Sequence, residues 1–227
     1  MKFLFNILII CLVISCKLFS QDYSFRVYDS RDGYHSQEAE SIYYQSLGYL
    51  WIGGVDGLTR YDGSKYIHYT KHDGLIDNEI QSISEDKKCN LWISTTKGIS
   101  YFDGKSFTNY TYILTDTIND LPYFIKVFEA SNGNIYACSA TGLYVLNKSK
   151  KCFIQYSSIQ SYVSDIVEDK EGTIWISGSL ALYKIKNNII KKIDLTPIID
   201  YNTATCLAFD KKQQLWIGTT KGILKYN

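Results

Sequence analysis

Short runs of apolar and β-branched residues, interrupted by Gly, Asp and Asn, recur along the chain after residue 20. Typical runs are SIYYQ, LWIGG and YIHYT, in which apolar and polar positions alternate with the two-residue period of a strand. No window keeps the i, i+3, i+4, i+7 spacing of an amphipathic helix for long. The pattern therefore predicts an all-β domain made of many short strands.

One phrase recurs with a period near 40 residues. Its aromatic position, which we call the anchor, is filled in turn by Trp51, Trp92, Tyr136, Trp175 and Trp216, at separations of 41, 44, 39 and 41 residues. Six residues after the anchor stand Gly57, Gly98, Gly142, Ala181 and Gly222. Nine residues before it stand Ile42, Ile83, Val127, Ile166 and Leu207. A period of this length is typical of propellers and solenoids.

Each repeat divides into four strands, with the anchor in the second strand. Asp-Gly pairs in YDGSK and FDGKS predict tight hairpin turns between the third and fourth strands, because glycine accepts a positive φ. A four-stranded sheet of about 40 residues is a propeller blade. We therefore expect a β-propeller of about five blades, in which the anchors pack between blades and the glycines allow a bend or a close backbone approach.

The two ends of the repeat array predict how a ring could close. FRVYDSRDGY, near the start, copies YIHYTKHDGL, the fourth strand and following loop of the first repeat, whereas the last repeat reaches Asn227 at the end of a third strand. Residues 23–28 could thus supply the missing strand and hide both sheet edges. The same pattern also fits a section of a larger ring.

The first twenty residues have a different composition. Lys2 precedes the apolar run FLFNILIICLVIS, which is too short for a membrane span and typical of an export signal. We predict a signal peptide at 1–20, cleaved after Ser20, followed by the propeller domain at 21–227, which would be periplasmic or secreted. Two alternatives remain: VISC resembles a lipobox, which would leave a lipid-anchored Cys16, or the segment stays as an uncleaved anchor.

Composition excludes several classes of function. A net charge of +1 without a basic block gives no electrostatic support for binding nucleic acid or anionic membranes. The cysteines after the leader are Cys89, Cys138, Cys152 and Cys206, which lack the CxxC spacing and neighbouring histidines of a zinc site. We expect no metal and no cofactor, and we interpret these cysteines as thiols, although export would permit disulfides.

Catalytic motifs are equally scarce. The chain has no nucleophile elbow, phosphate loop or carboxylate cluster, so we predict that it is not an enzyme. Some exported propellers are lyases, however, and His35, His68 and His72 would be the candidates for such a site.

The repeats resemble those of the two-component regulator propeller family, which read like I..D..G.LWIGT..GL.RYDG..F..Y. The segments that carry the resemblance are SISEDKKCNLWISTTKGISYFDGKSFTNY and LAFDKKQQLWIGTTKGILKYN. The family implies an exported sensor region, commonly a seven-bladed ring, which recognises a ligand such as an oligosaccharide and signals to a membrane histidine kinase. The chain departs from this pattern in having five repeats and no linker, later membrane helix or kinase motif, which puts signalling by this chain alone in doubt.

A ligand site is expected where the loops leave each fourth strand for the next first strand. The third such loop, 111–126, is about three residues longer than the first two and alone carries NDLPYF. The candidate ligand-binding residues in these loops are Asp73, Asn78, Glu79, Asp116, Asn119, Asp120 and Tyr123. The alternative hypothesis is a structural or protein-interaction propeller without a small ligand, which could self-associate through unpaired blade edges if the ring is open.

Overall fold

The computed structural model describes residues 25–34, 36, 38–113, 122–156, 158–199 and 203–226. These residues form the expected all-β fold, with strands grouped into five consecutive blades. Helical structure in them amounts to two 3₁₀ turns, Ser30–Asp32 and Lys71–Asp73, and one short helix, α1 (Thr196–Ile199). The expected signal peptide and its alternative Cys16 lie outside the described residues.

Each blade is an antiparallel sheet with its strands in chain order. Blade 1 consists of β1 (Ser41–Tyr44), β2 (Leu50–Gly54), β3 (Gly57–Tyr61) and β4 (Tyr66–Tyr69). Blade 2 consists of β5 (Ile80–Glu85), β6 (Leu91–Thr95), β7 (Gly98–Phe102) and β8 (Phe107–Ile113). Blade 3 consists of β9 (Phe124–Glu129), β10 (Ile135–Ser139), β11 (Gly142–Asn147) and β12 (Cys152–Gln155). Blade 4 consists of β13 (Val163–Glu168), β14 (Ile174–Gly178), β15 (Ala181–Lys186) and β16 (Ile189–Asp194). Blade 5 consists of β17 (Ala204–Phe209), β18 (Leu215–Thr219) and β19 (Gly222–Lys225).

Blades 2 and 3 are joined into one eight-stranded sheet. The long strand β8 runs past the end of β7, and its residues Thr111 to Ile113 pair in parallel with Cys152 to Ile154 of β12. A parallel pair between the outer strands of neighbouring blades is not part of the repeat pattern, because the repeat predicts antiparallel pairing within each blade. This link fixes blade 3 directly to blade 2.

The anchor aromatics fill the interfaces between blades, as the sequence predicts. Trp51 packs among Ile83 and Phe102 of blade 2, and its ring centroid lies 5.6 Å from that of Phe102. The remaining internal anchors pack in the same way against the blade that follows: Trp92, Tyr136 and Trp175. The exposed fractions of the four internal anchors are 1%, 4%, 3% and 5% in chain order. Burial of these large aromatic rings therefore stabilises the packing between blades.

A carboxylate or amide holds the indole of most anchors in place. Trp175 Nε1 donates to Asp169 Oδ2 at 3.0 Å, and Trp216 Nε1 donates to Asp210 Oδ2 at 3.1 Å. The same aspartates accept backbone N–H groups of the hairpin turn before the anchor. In blade 1 the amide of Gln45 replaces the carboxylate and accepts from Trp51 Nε1 at 2.8 Å. One side chain thus closes the turn and orients the anchor.

Glutamates form a second set of links between neighbouring blades. Glu85 of blade 2 accepts the Ser46 backbone N–H of blade 1 at 3.0 Å, and Glu168 of blade 4 accepts the Ser131 N–H of blade 3 at 2.7 Å. Glu129 of blade 3 accepts the Lys87 N–H of blade 2 at 3.3 Å. Burial raises the pKa of Glu85, but the hydrogen bonds from Ser46 more than offset it, so that the pKa lies below its usual value. These bonds link blade 1 to blade 2, blade 2 to blade 3 and blade 3 to blade 4.

The two outer faces of the blade series are open. Ile42 of blade 1 is 66% exposed, whereas its counterparts Ile83 and Ile166 are 7% and 0% exposed. Trp216 of blade 5 is 39% exposed, unlike the four internal anchors. Each of these two residues therefore occupies a position that is buried wherever a neighbouring blade is present. The described residues form an open arc of five blades.

The expected closure by residues 23–28 is not formed in the part of the chain that the structure describes. Residues 25–29 form no strand, and the sheet of blade 5 contains three strands. The N-terminal segment instead lies against blade 1, where the ring of Tyr28 is 6.0 Å from that of Tyr61 and the ring of Tyr34 is 6.3 Å from that of Tyr66. These contacts place the segment on the open face of blade 1.

The loop half of the N-terminal copy is confirmed. The 3₁₀ turn at Ser30–Asp32 is capped by Asp29 and Asp32, and the turn at Lys71–Asp73 is capped in the same way by Thr70 and Asp73. Each turn ends at a glycine with positive φ. The segment 25–34 therefore contacts blade 1 in the same way that β4 and the loop after it contact blade 2.

The repeated glycine allows a close backbone approach, which gives a matched prediction. At Gly142, φ is +138° and a Cβ would collide with the carbonyl oxygen of Ile159, whereas at Gly222 φ is +144° and no atom lies within 4 Å of the added Cβ. We expect Gly142→Ala to lower the free energy of unfolding by about 3 kcal/mol and Gly222→Ala by about 1 kcal/mol, since both carry backbone strain but one also collides. Urea denaturation measures both values, and equal losses would contradict the proposed contact.

Candidate functional site

The first strand of each blade lies next to the axis of the arc. The first strands contact one another in succession, β1 with β5, β5 with β9, β9 with β13 and β13 with β17. They line the inner side of the open arc, which we call the channel. The residues that directly precede the first strands therefore all lie at the same end of this channel.

Four residues from four blades gather at that end, which we call the channel mouth: Glu40, Glu79, Tyr123 and Tyr162. Each directly precedes a first strand. Tyr123 and Tyr162 are 46% and 37% exposed, and both glutamates are exposed. Partial burial raises the pKa of the Tyr123 phenol, and the negative charges of Glu40 and Glu79 raise it further. The electrostatic coupling supports the proximity that the topology predicts.

Backbone hydrogen bonds hold the two tyrosines in equivalent positions. The Tyr123 carbonyl accepts the Ala140 N–H at 3.0 Å, and the Tyr162 carbonyl accepts the Ser179 N–H at 3.2 Å. Both donors lie in turns between a second and a third strand, so each tyrosine is attached to the rigid part of its blade. The mouth thus combines two aromatic rings in fixed positions with two carboxylates that accept hydrogen bonds. Among the described residues, the mouth contains acceptors and apolar ring faces and no nucleophile–base pair.

The structure separates the predicted binding residues into three groups. Glu79 and Tyr123 lie at the channel mouth. Asp73 and Asn78 make contacts within their own loop: Asp73 accepts the Thr70 N–H at 2.8 Å, and Asn78 Oδ1 accepts the Lys71 N–H at 2.8 Å. The remaining three lie outside the described residues: Asp116, Asn119 and Asp120.

Glu40 and Tyr162 were not among the residues selected from the sequence. Both lie in loops that the repeat places at this end, 29–40 and 157–165. The available signal was their position, because Tyr162 aligns with Tyr123 when the repeats are aligned on the anchors. Two tyrosines in adjacent repeats at the residue before the first strand indicate a shared surface.

A buried carboxylate stabilises the loop that carries Glu79. Asp77 is 7% exposed and accepts a hydrogen bond from Thr96 Oγ1 at 2.6 Å. Lys97 Nζ lies 3.6 Å and Lys71 Nζ 3.9 Å from Asp77 Oδ1. Burial raises the pKa of Asp77, but these contacts outweigh it and the pKa is lowered. Asp77 therefore ties the loop to the β6–β7 turn.

An ion pair bridges the first strands of blades 3 and 4. Lys126 Nζ donates to Asp165 Oδ1 at 2.6 Å, and the other carboxylate oxygen accepts the Leu207 N–H of blade 5 at 2.7 Å. The Asp165 side chain is 12% exposed. A single carboxylate thus connects three blades close to the axis.

The histidines do not form a site in the residues described. His68 Nδ1 is 2.9 Å from Thr59 Oγ1, and its Nε2 is 3.1 Å from the Asp56 carbonyl oxygen, so the ring is held within blade 1. His72 is exposed on a 3₁₀ turn, and His35 lies outside the described residues. No group of three or more His, Cys, Asp or Glu side chains suited to a metal occurs in the described ranges.

The four cysteines in the described residues, Cys89, Cys138, Cys152 and Cys206, are free thiols. None of the helices described is long and apolar enough to cross a membrane.

Comparison with known families confirms the resemblance of the repeats. The model of the two-component regulator propeller family matches residues 74–97 and 157–179. These segments include the loop that carries Glu79 and the loop that carries Tyr162. No curated protein is significantly similar to the chain.

Solved structures with the same fold include sensor and enzyme propellers. The extracellular domain of the one component system BT4673 from B. thetaiotaomicron is 23% identical, with a TM-score of 0.70 over 90% of this chain and 32% of that chain. The extracellular domain of the hybrid two component system BT3049 from B. thetaiotaomicron is 24% identical, with a TM-score of 0.65 over 83% of this chain and 26% of that chain. Virginiamycin B lyase from Staphylococcus aureus is 16% identical, with a TM-score of 0.64 over 83% of this chain and 69% of that chain.

The TM-scores establish the propeller fold, and the function has to be argued from the site. The chain spans about a third or less of the length of the two extracellular domains.

Proposed function

We propose that this chain is an exported, non-catalytic propeller that binds a neutral oligosaccharide at the channel mouth. The observation that carries the proposal is the convergence of Tyr123, Tyr162, Glu40 and Glu79 from four blades at one end of the channel. Convergence of aromatic and polar groups in a concave position is typical of ligand sites.

Sugar rings suit this combination of groups. Their apolar C–H faces stack on phenol rings, and their hydroxyl groups donate hydrogen bonds to carboxylates, which are stronger than bonds to neutral acceptors. The two glutamates lower the affinity for anionic ligands, because a uronate would place like charges close together at the mouth. The proposed ligand class is therefore neutral rather than acidic glycans.

A sensor role is favoured over catalysis. The described part of the mouth contains no histidine or nucleophile–base pair, whereas the repeats resemble those of two-component regulators. The similarity in fold to extracellular domains of such systems supports export and a membrane histidine kinase as the proposed output partner. The similarity to a lyase is one of fold alone, and the described residues place no histidine at the mouth.

The proposal predicts stabilisation by neutral sugars. A ligand that binds only the folded state at 100 times its Kd adds about 2.7 kcal/mol, which raises the Tm of a chain of this size by roughly 5–10 °C. The probes are cellohexaose, maltohexaose, mannohexaose and xylohexaose, with hexagalacturonate as the acidic counterpart. We expect at least one neutral hexasaccharide to raise the Tm and the acidic one to have no effect.

Variants locate the binding site within the molecule. Tyr123→Ala should abolish the shift in Tm, whereas Tyr44→Ala, which removes an exposed tyrosine at the far side of blade 1, should retain it. A panel without any shift would overturn the proposed ligand class and favour the protein-interaction alternative. An unchanged shift in Tyr123→Ala would place the ligand elsewhere.

A further inference from the structure

A cavity of about 260 Å³ lies between blades 2 and 3. Both blades have four strands and a neighbouring blade on each side, so the cavity is internal to the arc. On the side of blade 2 it is lined by three aromatic rings, and the ring centroids of Tyr101 and Tyr110 lie 4.5 and 5.5 Å from that of Trp92. On the side of blade 3 it is lined by the apolar side chains of Ile135 and Leu146. The cavity thus has the largely apolar walls of a small-ligand site.

The cavity lies far from the channel mouth. Tyr123 directly precedes β9, whereas Glu129, which lines the cavity, is the last residue of β9. The six residues of this strand separate the two sites by about 20 Å, because a strand rises about 3.3 Å per residue. The cavity is therefore independent of the proposed site at the channel mouth.

The indole N–H of Trp92 is buried at this cavity without a hydrogen-bond acceptor among the described residues. In blades 4 and 5, the indole N–H of the anchor donates to an aspartate six residues earlier in the chain, Asp169 and Asp210. Asp86 holds that position in blade 2 and also lines the cavity. Trp92 is 4% exposed, so its N–H lacks both the usual protein acceptor and bulk water. A buried donor without an acceptor is costly to the fold.

Tyr101 takes the carboxylate that would otherwise hold the Trp92 indole. Its hydroxyl donates to Asp86 Oδ2 at 2.8 Å, and the Asn90 side-chain amide donates to the same oxygen at 3.0 Å. The other oxygen, Oδ1, accepts the backbone N–H groups of Lys88 and Asn90, each at 2.8 Å. A carboxylate offers about four acceptor positions, so Asp86 is saturated without Trp92.

The repeat shows that Tyr101 departs from the usual arrangement. Nine residues after the anchor, blades 4 and 5 have Lys184 and Lys225, whose ammonium groups lie 4.6 and 5.9 Å from the anchor ring centroids. A lysine stacked on the ring leaves the carboxylate to the indole. Burial raises the pKa of the Tyr101 phenol, and the bond to Asp86 raises it further, so the phenol keeps its proton and remains the donor at neutral pH. The Trp92 indole N–H therefore stays available to an acceptor that enters the cavity.

Charged side chains at the cavity indicate the class of that acceptor. Asp86 and Glu129 contribute two carboxylates, and Lys88 and Lys148 contribute two ammonium groups, so the lining has no net charge. A zwitterion matches such a lining, because its carboxylate can accept hydrogen bonds and its ammonium group can pair with a carboxylate and with aromatic faces. The cavity is smaller than the roughly 300–1,000 Å³ of sites for drug-sized molecules, so it suits a ligand of a few heavy atoms.

We propose that the cavity between blades 2 and 3 binds a free α-amino acid with an apolar side chain. Its carboxylate accepts the Trp92 indole N–H, its ammonium group pairs with Glu129, and its side chain packs against the aromatic rings of blade 2 and Leu146. The amino acid supplies the hydrogen bond that the anchors of blades 4 and 5 make within the protein. Its binding therefore stabilises the contact between blades 2 and 3.

NMR of the ¹⁵N-labelled chain tests the proposal, because the four tryptophans give four indole N–H resonances. The resonance missing from Trp92→Phe identifies that of Trp92. The probes are L-valine, L-leucine, L-methionine and L-phenylalanine, with D-glucose as a neutral comparison rich in hydroxyl groups. We expect at least one amino acid to shift the Trp92 resonance downfield with a saturable dependence on concentration, and glucose to leave it in place. Analogues of that amino acid without the ammonium group or without the carboxylate should bind about 10-fold or more weakly.

Tyr101→Phe gives a sharper result, because it frees Asp86 Oδ2 to accept the Trp92 indole N–H. The Trp92 resonance should then lie downfield without any ligand, and the affinity for the amino acid should fall about 10-fold or more. Tyr43→Phe is the matched control: it removes a phenol hydroxyl that donates to a carboxylate, that of Glu85, at 3.1 Å and lies outside the cavity. This control should bind like the wild type. Unchanged positions of the other three indole resonances show that each variant is folded.

Three results would overturn the proposal. A Trp92 resonance that no amino acid shifts would show that the cavity holds solvent only. A shift with glucose and with no amino acid would contradict the zwitterionic class of ligand. Wild-type affinity in Tyr101→Phe would show that the Trp92 indole N–H takes no part in binding.

Discussion

Replacing Trp51 by alanine is expected to lower the free energy of unfolding by about 4 kcal/mol, whereas the same substitution at Trp216 lowers it by about 1 kcal/mol. Both residues occupy the anchor position of their repeat. Trp51 is 1% exposed within the core between blades 1 and 2, so its loss leaves a cavity there. Trp216 is 39% exposed at the end of the arc and leaves no closed cavity.

Urea denaturation at one low protein concentration measures this difference. The m-value, which is the dependence of the free energy of unfolding on urea concentration, should be the same for the wild type and both variants. A change in the m-value would indicate altered denatured or intermediate states. Equal losses at the two positions would show that Trp216 is packed as deeply as Trp51. That result would contradict the open arc and favour a closed ring.

Asp165→Ala should lower the free energy of unfolding by about 3 kcal/mol and the Tm by roughly 6–12 °C. The substitution leaves Lys126 without its partner and removes the acceptor of the Leu207 N–H, so the contacts between blades 3, 4 and 5 are weakened together. Removal of one partner of a largely buried pair costs more than the pair itself contributes.

An exposed ion pair provides the matched control for Asp165. Lys186 Nζ lies 2.6 Å from Glu171 Oε2, at a similar distance to the Lys126–Asp165 pair, but the Glu171 side chain is 75% exposed. Glu171→Ala should therefore change the free energy of unfolding by less than about 1 kcal/mol. Calorimetric melting of both variants measures the difference, and similar shifts in Tm would contradict a special role for Asp165 between the blades.

The sequence was sufficient to predict the blades because the repeat constrains each position several times. The anchor column, the aliphatic column nine residues before it and the Asp-Gly turns all agree with strand pairing in the structure. Successive side chains of a strand point to opposite faces of the sheet, so the apolar positions of each strand share one face. Trp51 and Ile83 accordingly lie in one core. Because the same sequence signals recur in each repeat, they leave little freedom in the register of strand pairing within a blade.

The closure of the ring could not be predicted in the same way. Residues 25–28 match a fourth strand in sequence, but whether they pair with β19 depends on the rotation between blades. That rotation is set by contacts such as Glu85 with Ser46 and Asp165 with Leu207, which combine residues about 40 positions apart. The total rotation over the four interfaces between blades cannot be read from the sequence pattern of a single repeat.

The positions of the candidate residues in the fold could be predicted only in part, for a related reason. Loop position was enough to select Glu79 and Tyr123, but polar character alone also selected Asp73, whose carboxylate caps a 3₁₀ turn. The same polar residue types occur among side chains that stabilise a loop and among side chains that contact a ligand. Alignment of the repeats adds a positional signal that polarity lacks, because it places Tyr162 at the position of Tyr123.

Calorimetric titration is the most direct test of the channel mouth as the ligand site. The neutral hexasaccharide that stabilises the wild type most is titrated into the wild type, Tyr162→Ala, the double variant with Tyr123→Ala and the control Tyr44→Ala. We predict that Tyr162→Ala weakens the affinity about 10-fold or more, that the double variant abolishes binding and that the control binds like the wild type. An unchanged affinity in the double variant would contradict the assignment of the channel mouth as the binding site.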